Sequence, residues 1–414
     1  MMRDIHDWLT EDEINLACKT APAVRMLHSP RGGVAIFFTN GFIKKFEGDA
    51  RLQTPPLLVS PGDDLRESFS SYKNVHGVPP CVVLARGLGA YALGSDVEKA
   101  ASALRTFVKS SGTGRDLFSG VPSLVGADDA PPGIGEAKKT PRLAGKITIV
   151  TGSAQGFGKG IAEAMAAEGA LVVAADINVD GARKCVGEIE ASRGEGHAVA
   201  VRTDVSDETS VRDMTRSAVL NYGGLDIMVS NAGIAIAGGL SEMTKEKFEL
   251  VTSVNYTGFF LCAKYASAPM KIQRAFSPSY TADIIEINSK SGLEGSNKNF
   301  AYAGSKFGGL GLTQSFALEM AAYGVKVNAV CPGNYLDGPL WSDSERGLFR
   351  QYFEAGKVPG AASVADVRAF YESKVPMGRG CTPEDVVRAI FYAVEQQYET
   401  GQAIPVTGGQ IMLK

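Results

Sequence analysis

Tyr302 and Lys306 are the residues of this sequence whose types and spacing point most clearly to chemistry. They are four positions apart, so on a helix both side chains lie on one face. An adjacent ammonium group favours the phenolate and lowers the pKa of a tyrosine from about 10 toward neutral pH. Tyr302 could then remove a proton from an alcohol, or return one in the reverse direction. The alternative is an ordinary pair on a helix surface, which is the usual explanation of an isolated Tyr-x-x-x-Lys.

A glycine-rich turn between residues 151 and 158 is a second chemical signature. Its sequence, Thr-Gly-Ser-Ala-Gln-Gly-Phe-Gly, follows a short β-branched run and opens a helix with apolar periodicity. Glycines at such a turn allow the backbone to approach a pyrophosphate, whose charge is bound by the free N–H groups at the helix start. The residues that we expect to bind a dinucleotide here are Gly152, Ser153, Gln155, Gly156, Phe157 and Gly158.

Asp176 indicates which dinucleotide is bound. It ends the next β-branched run, eighteen residues after Gly158. An acid at this place can accept hydrogen bonds from the ribose hydroxyls of NAD and repels the extra phosphate of NADP. No arginine stands at residues 153, 177 or 178 to receive that phosphate. The sequence therefore predicts NAD, and the alternative is a structural turn with a surface aspartate.

Two further loops fit the same site. Asp204 and Val205 follow the third β-branched run, where a short acid can reach the adenine amino group. Asn231, Ala232 and Gly233 follow the fourth, where small residues allow a cofactor to pass closely. Neither loop is specific by itself.

Together these motifs resemble the short-chain dehydrogenase/reductase family, over about residues 143 to 414. The glycine turn, Asn-Ala-Gly, Tyr-x-x-x-Lys and Pro332-Gly333 occur in the order that the family has, although Ser230 stands where the family has a first asparagine. The resemblance implies that Tyr302, Lys306, Pro332 and Gly333 also border the cofactor. It implies reversible hydride transfer between a secondary alcohol and nicotinamide, with no metal.

The same resemblance assigns two more catalytic residues. Ser289 precedes Tyr302 by thirteen residues, which is the family's spacing for the serine that hydrogen-bonds the reacting oxygen. Ser291 is a competitor with a less suitable spacing. Asn255 matches the helix asparagine that holds a water in a proton relay behind the lysine.

The less regular segments resemble one branch of the family, the sorbitol-6-phosphate 2-dehydrogenases. The resemblance is carried by Ile-Asn-Ser-Lys-Ser-Gly around Ser289 and by the stretches 371–381 and 400–412. It implies oxidation of D-sorbitol 6-phosphate to D-fructose 6-phosphate, so the partner is a small sugar or polyol phosphate. A phosphorylated sugar needs cations near the catalytic serine. The residues predicted to contact substrate are Lys290, Asn334 and Arg379; Lys298 and Lys374 are weaker candidates, and each lysine or arginine could instead be a solvated surface charge.

The elements that position these residues form an α/β pattern. Short β-branched runs alternate with amphipathic stretches after residue 143, which is typical of a Rossmann-type, doubly wound parallel sheet. We place a small α/β domain at residues 1–109, a linker rich in Gly, Pro and Ser at 110–142, and the dehydrogenase at 143–414.

The front segment resembles part of a class II aldolase domain, from about Pro55 to Ala101. Such an aldolase needs a histidine cluster for a divalent metal. The front segment has only His6, His28 and His76, without a His-x-His pair. We therefore expect a non-catalytic remnant that serves docking, oligomer contacts or no visible purpose.

Composition excludes several classes of protein. The 414 residues carry 42 basic and 45 acidic side chains, so the charge gives no reason to expect nucleic acid or an anionic membrane as partner. The six cysteines are far apart, without the spacing of a zinc site or a disulfide framework. We expect a cytoplasmic enzyme without a metal, and the family resemblance implies a homodimer or homotetramer.

Two other functions remain open from the sequence. The first is a dehydrogenase for a free polyol or a small aldehyde. The second is an NAD-binding regulatory protein that has kept the fold and lost its chemistry, since a fold alone does not determine function.

Overall fold

The computed structural model describes residues 9–29, 33–38, 55–110 and 141–412. These residues form two sheets. One is a seven-stranded parallel sheet in the order β11-β10-β9-β8-β5-β6-β7, and the other is a four-stranded sheet in the order β1-β4-β3-β2. The predicted fold class, a doubly wound parallel sheet preceded by a small α/β unit, is confirmed.

The parallel sheet consists of short, mostly buried strands with helices between them. Its strands are β5 Ile147–Thr151, β6 Leu171–Asp176, β7 Ala198–Arg202, β8 Ile227–Ser230, β9 Ala282–Ile287, β10 Val325–Pro332 and β11 Ala403–Val406. The helices are α4 Gly156–Ala167, α5 Val179–Arg193, α6 Glu208–Tyr222, α7 Lys245–Thr252, α8 Gly258–Phe276, α9 Phe300–Met320, α10 Pro339–Ser342, α11 Leu348–Glu354, α12 Val364–Ser373 and α13 Pro383–Glu395.

Each face of the parallel sheet has its own apolar core. Helices α6, α8 and α9 cover one face, and α4, α5 and α13 cover the other. Because both faces are covered, the strands are continuous apolar runs rather than alternating ones. Several helix starts have side-chain caps, such as Asp207 for α6 and Asn178 for α5.

The front unit packs three helices with its small sheet. Its elements are α1 Glu11–His28, β1 Val34–Phe38, β2 Leu57–Val59, α2 Leu65–His76, β3 Val82–Ala85, β4 Gly89–Gly94 and α3 Val97–Ser110. Helix α1 begins with a reciprocal capping box between Thr10 and Glu13. Most of the linker expected at 110–142 lies outside the described residues.

The front unit docks on α6 and α8 of the parallel-sheet unit. Met26, Val34, Val97 and Ala100 belong to the same apolar core as these helices. The backbone of β1 comes so close that a Cβ on Gly223 would lie 2.5 Å from that of Ala35. Two units that were separated in the sequence prediction therefore share one core.

A buried ion pair lies at the centre of this contact. Arg25 of α1 and Asp226, which directly precedes β8, are 0% and 1% exposed, and their side chains meet at 2.7 Å. The guanidinium also donates to the carbonyls of Gly33 at 2.6 Å and Gly145 at 3.3 Å. Nothing in the sequence prediction identified this pair.

Around the same carboxylate, the parallel-sheet unit supplies three more donors. The Asp226 carboxylate accepts hydrogen bonds from Tyr280 Oη at 2.6 Å, from the backbone N–H of Ile147 at 2.7 Å and from Gln273 Nε2 at 3.3 Å. Burial alone would raise the pKa of Asp226, but the nearby charges of Arg25 and Lys146 and the hydrogen bonds lower it to about 2. The ion pair is therefore charged at neutral pH.

The histidines of the front unit do not form a cluster among the described residues. His28 Nδ1 lies 3.1 Å from the carbonyl of Pro80, and the ring of His76 packs on Tyr72. His6 lies outside the described residues. Within the described part of the chain, no group of three His, Cys, Asp or Glu residues could hold a metal ion, and no helix is long and apolar enough to cross a membrane.

Candidate active site

The glycine-rich turn joins β5 to α4 at the carboxyl edge of the parallel sheet. Gly152 and Gly156 have φ angles of 69° and 62°, which favour glycine over other residues. A Cβ on Gly158 would lie 2.0 Å from the carbonyl oxygen of Gly152, so only glycine allows this close packing. Gln155 does not cap α4 with its side chain, and the first N–H groups of the helix have no side-chain acceptor. This cradle fits the pyrophosphate of a dinucleotide.

Asp176 lies beside this turn at the end of β6. Its carboxylate accepts hydrogen bonds from the backbone N–H of Ala154 at 2.9 Å and of Asn178 at 2.8 Å. Ser153 is buried beneath the turn and donates to the carbonyl of Ala175 at 3.3 Å. Asp176 is therefore fixed in position next to the cradle, with its negative charge half-exposed.

The loop after β8 is bonded to the glycine turn. Asn231 Nδ2 donates to the carbonyl of Thr151 at 2.8 Å, and the backbone N–H groups of Asn231 and Ala232 donate to Thr151 Oγ1. The side chain of Asn231 thus connects two loops of the protein. Asp204 is held by Ser206, whose N–H and hydroxyl both donate to it.

Asn255 lies in a π-helical turn, Ser253–Thr257, between α7 and α8. Its amide exchanges two hydrogen bonds with the backbone of Ile234, both at 2.9 Å, and Nδ2 also donates to Ser305 Oγ at 3.1 Å. Ser305 in turn donates to the carbonyl of Tyr302. Asn255 therefore links the loop after Gly233, whose Cβ position is 3.3 Å from Asn255 Oδ1, to the helix that carries Tyr302.

Tyr302 and Lys306 lie in the first two turns of α9. Lys306 is buried, and its Nζ lies 5.9 Å from the centre of the Tyr302 ring. The same Nζ donates to the carbonyl of Ile287, the last residue of β9, at 2.7 Å. The ammonium group is thus held between the strand end and the tyrosine.

Ser289 follows β9 and caps the short 3-10 turn Lys290–Gly292. Its Oγ accepts a hydrogen bond from the backbone N–H of Ser291 at 3.1 Å. Ser289 is half-exposed, whereas Ser291 is buried. The backbone N–H of Ser289 donates to Asn288 Oδ1 at 2.8 Å.

A buried pair that the sequence prediction missed supports these residues. Asn288 Nδ2 donates both to the carbonyl of Lys306 at 2.8 Å and to Glu286 Oε2 at 2.9 Å. Glu286 is 1% exposed, and its other oxygen has no hydrogen-bond partner. Burial raises the pKa of Glu286, and the charge of Lys306 opposes that rise. The sequence signal was an acidic residue between two isoleucines of a buried strand.

An aromatic wall faces α9, the helix that carries Tyr302 and Lys306. Trp341, Tyr352 and Tyr371 contact one another with ring centres 4.9 to 5.6 Å apart, and Tyr302 packs against this cluster. The wall continues toward the cofactor cradle, where Phe157 stacks on Tyr335 at 4.9 Å. The segment after Gly333 thus closes over both parts of the site.

The predicted substrate residues are placed differently from one another. Lys290 is half-buried and lines a cavity of about 230 Å³ together with Glu294, Phe370, Tyr371, Lys374 and Gln410. Asn334 is buried, and its Nδ2 has no hydrogen-bond partner. Arg379 is exposed and donates to both carboxylate oxygens of Asp385, at 2.6 and 2.9 Å. Its guanidinium is therefore already occupied.

Comparison with known proteins gives consistent matches. The sequence model of the family described as short chain dehydrogenase matches residues 146–345. Sorbitol-6-phosphate 2-dehydrogenase of Escherichia coli (strain K12) is 38% identical over 270 residues, which are 64% of this chain and 99% of the relative. Galactitol 2-dehydrogenase of Agrobacterium fabrum is 33% identical over 273 residues, 66% of this chain and 99% of the relative.

A solved structure gives the same result. The crystal structure of sorbitol-6-phosphate 2-dehydrogenase from Erwinia amylovora has a TM-score of 0.59 and 35% sequence identity, and the match covers 64% of this chain and all of that chain. Strands β5 to β10, the glycine cradle and the Tyr302–Lys306 pair lie within the residues that match the family model. With nearly the whole length of a 38% identical relative covered, the chain belongs to the short-chain dehydrogenase family.

Proposed function

We propose that the protein oxidises a polyol phosphate with NAD, most specifically D-sorbitol 6-phosphate to D-fructose 6-phosphate. The observation that carries this proposal is the position of Lys290, a half-buried cation directly after Ser289 in the wall of a cavity. Two relatives named for sorbitol 6-phosphate oxidation add support, because they cover the dehydrogenase part almost completely.

In this proposal the chemistry is performed by three side chains. Tyr302 accepts the hydroxyl proton of the alcohol as general base. Ser289 orients the same oxygen by a hydrogen bond, and Lys306, held by the carbonyl of Ile287, stabilises the phenolate. Bound NAD would supply the acceptor for the hydride that leaves the alcohol carbon. Asn255 keeps the loop beside Gly233 in register with the catalytic helix and holds the water of the proton relay.

The cofactor in this proposal is NAD. The turn from Gly152 to Gly158 would hold the pyrophosphate, and Asp204 and Val205 would bind the adenine end. Pro332 and Gly333 would border the nicotinamide. A half-exposed carboxylate at Asp176 supports NAD over NADP, because a second negative charge at the ribose would be repelled.

Substrate recognition in this proposal rests on Lys290 and Asn334. The unpaired amide of Asn334 is suited to a hydroxyl of the polyol, since a buried donor without a partner is costly. Arg379 does not belong to the proposed substrate site, because its guanidinium is bound by Asp385. Lys298 donates to the carbonyl of Ala355, and Lys374 is exposed over Phe370.

The test is NADH formation, followed by absorbance, over sorbitol 6-phosphate, other hexitol phosphates, free hexitols and lactaldehyde. We expect the highest kcat/KM with a hexitol phosphate. A free hexitol as best substrate would favour the second candidate, which the similarity to a galactitol 2-dehydrogenase supports. No turnover with any alcohol, despite NAD binding, would favour a regulatory protein.

We also propose a homodimer or homotetramer in the cytoplasm. Phe260 on α8 and Phe307 and Leu318 on α9 are exposed apolar side chains, which are typical of an interface. All six cysteines are described and free, which supports a reducing compartment. Light scattering of the purified chain tests the oligomer.

The front unit is proposed as a non-catalytic, aldolase-like remnant, which metal analysis and a retro-aldol assay can test.

A further inference from the structure

A second lysine, Lys357, lies near Lys290 although it is far away in the sequence. It follows α11, and its Nζ contacts Ser296 Oγ at 3.2 Å. Ser296 belongs to the same loop as Lys290. Lys357 was not recognised in the sequence prediction because it lies in an irregular segment without a motif.

The aromatic wall connects Lys357 with the cavity. Its Nζ lies 3.8 Å from the centre of the Tyr352 ring, and that ring lies 5.4 Å from the ring of Tyr371. Tyr371 lines the cavity together with Lys290. The two ammonium groups are therefore presented around one aromatic surface, which also contacts Tyr302.

Neither lysine has a carboxylate partner among the described residues, since no Asp or Glu oxygen within the described ranges lies in ion-pair distance of either Nζ. Glu294 acts on Lys290 from beyond ion-pair distance, whereas no carboxylate of the described residues offsets the burial of Lys357. A half-buried lysine without a counter-ion is unusual, because burying an unpaired charge is costly. Burial and, to a smaller extent, the charge of Lys290 together lower the pKa of Lys357 to about 8. Two like charges that repel each other in the free protein are stabilised by a bound anion.

We propose that Lys357, Ser296 and Lys290 form the subsite that binds the phosphate group of the substrate, with the polyol chain extending along the aromatic wall to Tyr302. This inference rests on the proposed function. A phosphate monoester is a dianion above pH ~6 and matches two lysines in charge. The hydroxyl of Ser296 can donate to a third phosphate oxygen.

The subsite depends on pH in a definite direction. Lys290 acts on Lys357 through its charge, and the ring of Tyr352 packs against Lys357. Lys298 lies close by and donates to the carbonyl of Ala355. The charge of Glu294 favours the charged form of Lys290. A neutral Lys357 cannot hold the dianion. The KM for a phosphorylated substrate therefore rises as the pH increases through about 8, whereas the KM for an unphosphorylated polyol does not follow this change.

The first experiment compares Lys357→Met, Lys357→Arg and Lys290→Met in the full chain. At pH 7 we expect Lys357→Met to raise the KM for sorbitol 6-phosphate about tenfold to a hundredfold, the range expected for a lost charged hydrogen bond. The KM for sorbitol should change less than about twofold. Lys357→Arg should restore affinity and remove the rise in KM above pH 8, since arginine stays charged.

The matched control is Lys245→Met, an exposed lysine on α7 that pairs with Glu249. If Lys357→Met has no more effect than this control, the assignment of Lys357 is wrong. Equal increases in KM for sorbitol and its phosphate would also overturn it, because they would indicate altered cavity shape rather than lost phosphate binding.

The second experiment does not depend on turnover. Lysines of the full chain are acetylated at pH 8 with and without inorganic phosphate, at constant ionic strength, and modification is measured by mass spectrometry. We expect phosphate to protect Lys357 and Lys290 but not Lys245. If no polyol phosphate is oxidised but both lysines are protected, the proposed function fails and the anion subsite stands. If sorbitol 6-phosphate is oxidised and neither lysine is protected, the function stands and the subsite is refuted.

Discussion

Replacing Arg25 with methionine tests whether the front unit is an integral part of the enzyme. The change keeps much of the side-chain length and removes the cation, leaving Asp226 1% exposed without its ion-pair partner. Breaking a buried ion pair from one side costs about 3–5 kcal/mol. The carbonyls of Gly33 and Gly145 also lose a donor. Tyr280, Gln273 and the N–H of Ile147 still satisfy Asp226, so we expect a loss within that range.

The expected loss is large enough to measure by thermal and urea unfolding. A change of 1 kcal/mol shifts the melting temperature of a large domain by about 2–4 °C, so Arg25→Met should lower it by about 6 °C or more. Asp226 adds a pH dependence. Its pKa is depressed to about 2, so the stabilisation is present above its unfolded pKa of about 3.9 and is lost as the pH falls from there toward 2. The difference between wild type and variant should therefore be larger at pH 7 than at about pH 3, which lies between these two pKa values.

Arg350→Met is the matched control, because Arg350 forms an exposed pair with Glu354. Such a pair contributes at most about 1 kcal/mol. The double variant Arg25→Met/Asp226→Asn should recover part of the loss, since it removes the uncompensated charge. The reasoning is refuted if Arg25→Met is as stable as Arg350→Met. It is also refuted if the front unit unfolds in a separate transition that leaves the dehydrogenase unchanged.

The other predictions concern the site itself. Tyr302→Phe should bind NAD normally, as measured by fluorescence titration, and lose at least about a hundredfold in kcat, because it removes the general base; substantial residual turnover would contradict the assigned mechanism. Asp176→Asn keeps an acceptor for the backbone N–H groups and removes the charge, so the ratio of kcat/KM for NAD over NADP should fall by about tenfold or more, equal to about 1.4 kcal/mol; an unchanged ratio would remove Asp176 from cofactor selection. Glu286→Ala takes the acceptor from Asn288, so kcat should fall by about tenfold with little change in the KM for NAD, while Glu286→Gln retains most activity; equal activities of all three proteins would show that Glu286 does not position the catalytic lysine.

The periodic parts of the fold could be predicted from the sequence. The runs that became β5, β6 and β8 are apolar and bounded by glycine or polar residues, so their type and order followed from local pattern. Strand β11 could not be predicted in this way, because Pro405 interrupts a short apolar run. The strand lies at the edge of the sheet, where proline is tolerated.

The site was predicted as far as its residues belong to motifs. The glycine cradle and the Tyr302–Lys306 pair have fixed spacings, and both are formed locally by a turn or a helix. Lys357 and Glu286 could not be found in this way, because Ser296 contacts Lys357 and Thr313 contacts Glu286 from distant parts of the chain. Arg379 was assigned to substrate from its place in the sequence, and only the structure showed that Asp385 occupies it.

The position of Asp226 determines what the front unit can do for the active site. Asp226 precedes β8, whereas Asn231 follows this strand and lies beside the cofactor cradle. Asp226 and Asn231 are therefore at opposite ends of the strand. The four residues of β8 span about 13 Å at 3.3 Å per residue. The docked front unit thus rests on the side of the sheet away from the crevice. At this contact the front unit braces the amino end of β8, and none of its described residues lines the cavity beside Lys290.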